Sequence, residues 1–181
     1  MKRTFKIDQV ADIPRKYKKT PIGLLLEYHN FGRAFDKYTQ AQLLIGMCMD
    51  NRKHLRMPDN FAFIIRSGGG NLRYSEFKVS YAIAVGGISH IVLIGHNQCG
   101  MVNLAARKEQ FIKGLVKNAG WRKKDAVEHF ENYALMFEIG NEVDFILSET
   151  KRLRVRYPKV SVAPMLYRIE DNRLYLLNED Q

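Results

Sequence analysis

Ile88-Ser89-His90-Ile91-Val92-Leu93-Ile94-Gly95-His96-Asn97-Gln98-Cys99-Gly100 is the stretch whose reading decides the fold. Its apolar run, Ile88 to Ile94, reads as a strand that delivers His96, with Cys99 in the turn beyond. Two similar runs lie upstream, at residues 43–48 and 61–65, and each is short, continuous and apolar. Such runs fit strands buried on both faces, as in a parallel sheet. Between the second and third, Phe77, Tyr81, Ala84 and Val85 recur at helical spacing until Gly86-Gly87 stops the pattern.

The rest of the chain extends this alternation. From Pro21, the positions Ile22, Leu25, Leu26, His29, Phe31 and Phe35 predict an amphipathic helix, with Pro21 suited to its first turn. Residues 102–139 read as mostly helical, broken near Gly114 and at Asn118-Ala119-Gly120, and a further helix runs from Asn141, an N-cap residue, to Tyr157-Pro158. Residues 160–169 read as a fourth strand whose Pro164 implies an edge or an irregularity. After the turn at Asp171-Asn172, Leu174-Tyr175-Leu176-Leu177 can pair back as a hairpin. The expectation is an α/β fold with a central, mainly parallel sheet of four to five strands flanked by helices. Residues 1–20 read as an N-terminal arm and 21–181 as a single α/β domain.

Composition narrows the class. With 181 residues, 46% of them hydrophobic, the chain can bury a sizeable core. It contains no apolar stretch of about 18 residues that would span a bilayer, and its basic start lacks the apolar segment and cleavage site of a secretory signal. Two cysteines do not make a disulfide framework, so the reading is a reduced, cytoplasmic protein without membrane contact. The net charge of +10 is dispersed over several short clusters with no zinc-finger spacing or RNA-recognition signature. It reads as solvated basic faces rather than a nucleic-acid site, although a cationic surface also attracts small anions.

Both cysteines, Cys48 and Cys99, fall at strand ends together with His96, where ligands gather in parallel α/β sheets. A lone strand cysteine is usually a small buried hydrophobe. Two thiolates and an imidazole at matching positions instead form three ligands of a zinc site whose fourth position is open to water. Bound water of this kind loses a proton near neutral pH. Cys48, Asp50 and Arg52 tend to project to the same side of an extended chain. Asp50 could close the site as a fourth ligand, or Arg52 could hold it away, ionised, to accept a hydrogen bond from zinc-bound hydroxide.

Cys48-x-Asp50-x-Arg52 followed by His96-x-x-Cys99-Gly100 resembles the β-class carbonic anhydrases. The resemblance takes in most of the chain, including Ile65-Arg66-Ser67-Gly68-Gly69 at the family's Arg-Asn-Ala-Gly position. It implies zinc on Cys48, His96 and Cys99, with Asp50 and Arg52 as a catalytic dyad. It further implies a homodimer or higher homo-oligomer built on the central sheet, and reversible hydration of carbon dioxide to bicarbonate and a proton. The same zinc triad serves members of the fold that hydrolyse carbon disulfide or carbonyl sulfide, and an altered, non-enzymatic binding protein is a third alternative. The sequence departs from the family at Asn51, at Ser67-Gly68, and in residues 53–60, which leave little room for a helix after the first strand. His29, His54, His90 and His129 are not assigned to metal, Gly68-Gly69-Gly70 reads as a tight turn rather than a phosphate loop, and Trp121 reads as packing.

Overall fold

Alternating side chains on the central strands divide the interior into two layers. In the computed structural model, which describes residues 3–179, Val92 and Ile94 join Ile22, Leu25, Ile45 and Met165 on one face of the sheet. Ile91 and Leu93 join Leu44, Val79, Ile146 and Leu153 on the other. Burial on both faces is what continuous apolar runs dictate. Residues 1–2 of the expected arm and 180–181 of the expected domain lie outside the described residues.

The sheet has six strands in the order β1-β6-β5-β4-β2-β3. β2 (Leu43–Met47), β3 (Ala62–Arg66), β4 (His90–His96) and β5 (Ser161–Arg168) form its parallel part. β6 (Arg173–Leu177) returns antiparallel to β5, and β1 (Thr4–Phe5) pairs antiparallel with β6. The strand beyond the expected four to five is thus β1, contributed by the N-terminal segment. That segment also buries Ile7, Ile13 and Tyr17 against α1 (Pro21–Phe31).

Local signals set the helix limits. The Thr20 hydroxyl accepts from the Gly23 amide at 3.4 Å, Pro21 occupies the first turn, and α1 ends at Gly32, whose φ of +68° is the left-handed cap conformation. The helix therefore stops short of Phe35. α3 (Lys108–Ala119) runs through Gly114 without a break, and the chain turns at Gly120 into α4 (Lys123–Phe137). α5 (Glu142–Arg156) begins as expected, with Asn141 Oδ1 accepting from the amides of Val143 and Asp144 at 2.9 and 3.1 Å.

Of the two alternatives for Pro164, the structure shows the irregularity: β5 lies between β4 and β6, but Pro164 pairs only with Leu93 and stands one residue outside the β5–β6 ladder, which begins at Met165. In α2 (Glu76–Ala84), Val79 and Ala82 face the core, whereas Phe77, Tyr81 and the following Val85 are exposed, Phe77 by 80%. That apolar stripe lies on the outside, beside β3, whose Phe63 and Ile64 are also exposed.

No helix separates β2 from β3. The crossover is held by polar contacts instead: the Arg56 amide donates to His29 Nδ1 at 3.0 Å, and its guanidinium donates to the carbonyls of Tyr28 and Arg33 at 2.7 and 2.9 Å. Among the described residues, β3 is last in the strand order and has a neighbour on one side only. Among the described residues, no helix is long and apolar enough to cross a membrane.

Candidate metal centre

β2 and β4 are adjacent parallel strands, with Met47 opposite Ile94. Cys48 directly follows β2 and His96 closes β4, so both emerge at the carboxyl edge of the sheet. The chain turns back after His96 through Gln98, at φ +57°, which brings Cys99 to Cys48 with the sulfurs 3.9 Å apart. Both cysteines are free and buried. Ligand atoms of Cys48, His96 and Cys99 all lie within 4.8 Å of one another, a group that could hold a metal ion.

His96 is set up for that role. Its Nδ1 lies 2.9 Å from the Asn97 carbonyl, so Nδ1–H donates there and Nε2 keeps its lone pair. Nε2 is buried with no hydrogen-bond partner among the described residues, which costs about 1–3 kcal/mol unless something else occupies the lone pair. Sulfurs about 2.3 Å from a tetrahedral metal stand roughly 3.8 Å apart, close to the separation found here. The donor set and its orphaned nitrogen fit a thiophilic divalent metal.

Asp50 and Arg52 reach the centre through a turn rather than strand alternation, since β2 ends at Met47. The Arg52 amide donates to Asp50 Oδ1 at 2.9 Å, the closure typical of an Asx turn. Its guanidinium then grips the carboxylate in a forked pair, Nε to Oδ1 at 3.0 Å and Nη2 to Oδ2 at 2.6 Å. This grip holds the Asp50 carboxyl well below the usual carboxylate range, against burial that pushes it up. Asp50 Oδ2 stands 3.9 Å from His96 Nε2. Arg52 also donates to the Gln98 carbonyl at 3.1 Å, tying the Cys48 loop to the loop that bears Cys99.

The cysteines behave as a unit. The Cys99 thiol donates to Cys48, which draws Cys48 toward the thiolate and pushes Cys99 up. Around them lies an apolar wall of Ile139, Met101, Val102 and Phe145. Gly70 lies beneath the site at φ +77°, where a Cβ would come within 3.6 Å of the Ile94 carbonyl and 3.8 Å of the Cys48 amide. The glycine stretch 68–70 is a tight turn against β2 and β4.

The sequence model of the family described as Carbonic anhydrase matches residues 45–174, a span that carries both cysteines, His96, Asp50 and Arg52. The chain belongs to the β-carbonic anhydrase family. No curated protein matches it in sequence. Among solved structures, it is similar to the β-carbonic anhydrase isoform I of Trichomonas vaginalis, with TM-score 0.63 and 18% identity over 83% of this chain and 91% of that one. A carbonic anhydrase of Streptococcus mutans gives 0.60 and 18% over 82% and 90%. A carbon disulfide hydrolase gives 0.51 and 22% over 76% and 78%. At these identities the likenesses speak to the β-carbonic anhydrase fold alone.

Other residues at this β-carbonic anhydrase site make contacts that the sequence reading did not assign. Glu142 Oε1 accepts from the Cys99 amide at 3.1 Å, and the Asn97 side chain bonds Glu170 and, at 3.0 Å, the Ile169 amide. Arg66 reaches toward the carbonyls of Cys48, Asp50 and Lys53, each at 3.4 Å. Lys53 is buried, and its Nζ donates to the Cys48 carbonyl at 3.1 Å. Burial pulls its ammonium down to about 8, against the opposing attraction of Cys48, Asp50 and Cys99. Its position directly after Arg52 was the only available signal. The unassigned histidines lie elsewhere: His54 is exposed, His29 accepts from Arg56, His90 contacts Ser89, and His129 packs among Phe111, Trp121 and Tyr133.

Proposed function

We propose that this chain is a zinc lyase that reversibly hydrates carbon dioxide to bicarbonate and a proton, with zinc held by Cys48, His96 and Cys99. The observation that carries the reading is the buried, unpartnered Nε2 of His96 beside two free thiols, facing a carboxylate that is already engaged. Zinc bound there supplies a nucleophile at neutral pH by lowering the pKa of its water toward about 7. Arg52 keeps Asp50 ionised and turned away from the ligand set, and Asp50 then accepts a hydrogen bond that orients the attacking group. Ile139, Val102 and Met101 give a neutral linear molecule an apolar surface to approach along.

The reading extends to assembly and place. The protein acts in the cytoplasm as a homodimer joined through β3 and the outer stripe of α2. Phe63, Ile64, Phe77 and Tyr81 there border a groove of about 340 Å³. An exposed apolar edge strand of this kind favours association.

Stopped-flow hydration of carbon dioxide across a pH range, with zinc measured on the same sample, tests the activity. The expected result is one zinc per chain and a rate that rises with a single apparent pKa. Full zinc occupancy without hydration would overturn it. The apolar wall also suits hydrolysis of carbon disulfide or carbonyl sulfide, a reading that hydrogen sulfide release from those substrates would favour.

A further inference from the structure

The His96 ring is fixed by a carbonyl that belongs to the next residue, Asn97, which the reaction above does not use. Nδ1 lies 2.9 Å from that oxygen, so the direction of the carbonyl decides where the ring presents Nε2. The turn that carries it is not locally favoured. Gln98, whose amide belongs to the same peptide unit, sits at φ +57°, a conformation uncommon for a residue with a Cβ and kept only where the surroundings impose it.

The Asn97 side chain reaches across the end of the sheet to the exit of the neighbouring strand. Its Oδ1 accepts from the Ile169 amide at 3.0 Å, and its Nδ2 donates to the Glu170 carboxylate. A backbone N–H only donates, so Ile169 fixes which end of the Asn97 amide is oxygen. β4 and β5 pair in parallel as far as His96 opposite Tyr167, and these two bonds carry the connection past that last pair. Glu170 also lies 3.5 Å from Gln98 Nε2, so it meets both residues of the turn. A primary amide suits this place because it offers an acceptor and a donor on one rigid plane.

Resting on the zinc reading above, we propose that Asn97 is a positioning residue of the metal centre. Its side chain staples the turn after β4 to the residues after β5, which keeps its own carbonyl on His96 Nδ1 and Nε2 directed at the two cysteines. The side chain touches neither metal nor substrate and acts only through His96. A ligand held by such an outer contact loses metal affinity when the contact is removed, although the ligand itself is intact.

Three variants test it. Asn97→Ala removes both contacts. Asn97→Asp keeps an acceptor for the Ile169 amide but sets two carboxylates against each other, and adding Glu170→Gln restores a donor–acceptor pair with its direction reversed. Zinc affinity is measured by competition with a chelator, and the ligand set by the visible spectrum of the cobalt-loaded proteins; neither needs turnover. Asn97→Ala and Asn97→Asp are expected to weaken zinc binding about tenfold and to change the cobalt bands, and the double variant to regain most of both. Unchanged zinc affinity in the two single variants overturns the proposal. So does a fall in the urea midpoint with the cobalt bands unaltered, because the side chain would then serve stability and not the ligand. A double variant no better than Asn97→Asp also overturns it, a comparison that decides the matter even if Asn97→Ala does not fold. If wild-type protein holds zinc and these variants weaken it, yet no carbon dioxide is hydrated, the functional reading fails and this inference stands.

Discussion

His96 shows how one local hydrogen bond prepares a metal ligand. With Nδ1 satisfied by the carbonyl of the next residue, the buried Nε2 is left facing the cysteines. Asp50, the nearest carboxylate, is committed to Arg52. Asp50→Asn should therefore keep one zinc per chain while lowering carbon dioxide hydration on the order of 10²-fold, measured by stopped flow with metal analysis. Cys48→Ser should instead abolish stable zinc retention, read by dialysis against a chelator; a fully loaded variant would remove Cys48 from the ligand set. The grouping of Cys48, His96 and Cys99 was legible in the sequence because the first two fall where apolar runs end and the third lies in the turn just beyond His96. Lys53 was not, because a lysine in a short polar loop reads as solvated until the fold shows it under the Cys48 carbonyl. Glu142 was hidden for another reason: it lies far along the chain from Cys99, and only the packing of α5 beside β4 brings the two together.

At the scale of elements, the start of α5 links helix stability to the metal loop. Asn141 caps the helix, and the next residue, Glu142, holds the Cys99 amide. Asn141→Ala should cost about 1 kcal/mol in urea denaturation, and an unchanged midpoint would remove the cap from the account. α5 is also fastened to α2, since Glu76 accepts from Arg152 at 2.7 Å and from the Tyr157 hydroxyl at 2.8 Å. Burial pushes the Glu76 carboxyl up, but Tyr157 and Arg152 together outweigh it, so its folded pKa lies below 4.5. A depressed carboxyl contributes stability that is complete above the unfolded pKa and lost as pH falls through the folded one. Glu76→Gln should thus cost about 1 kcal/mol near pH 7, and the gap from wild type should close below about pH 4.5. Denaturation midpoints at several pH values check this, and a gap that widens in acid would contradict it. The α2 stripe marked the helix in the sequence but not its buried face: Phe77, Tyr81 and Val85 recur at helical spacing, yet Val79 and Ala82 make the core contact. Hydrophobic periodicity gives the face of a helix but not which neighbour that face will meet.

At the scale of the whole molecule, the parallel order was legible because strands buried on both faces carry unbroken apolar runs. β1 was not, because two residues carry too little pattern to mark a strand. β3 is last in the strand order, and its Phe63 and Ile64 are exposed. Ile64→Lys should shift sedimentation from dimer toward monomer, since a lysine on an edge strand opposes further pairing. A wild-type protein that sediments as a monomer at micromolar concentration would refute the assembly.

In the proposed dimer, the outer edge of β3 makes the fold answerable to mass action, and its melting temperature should climb with protein concentration. When the protein is dilute or newly made, the same open strand is a template for indiscriminate β-pairing. Its abundance would then govern not only how much of the protein works but how much of it stays soluble.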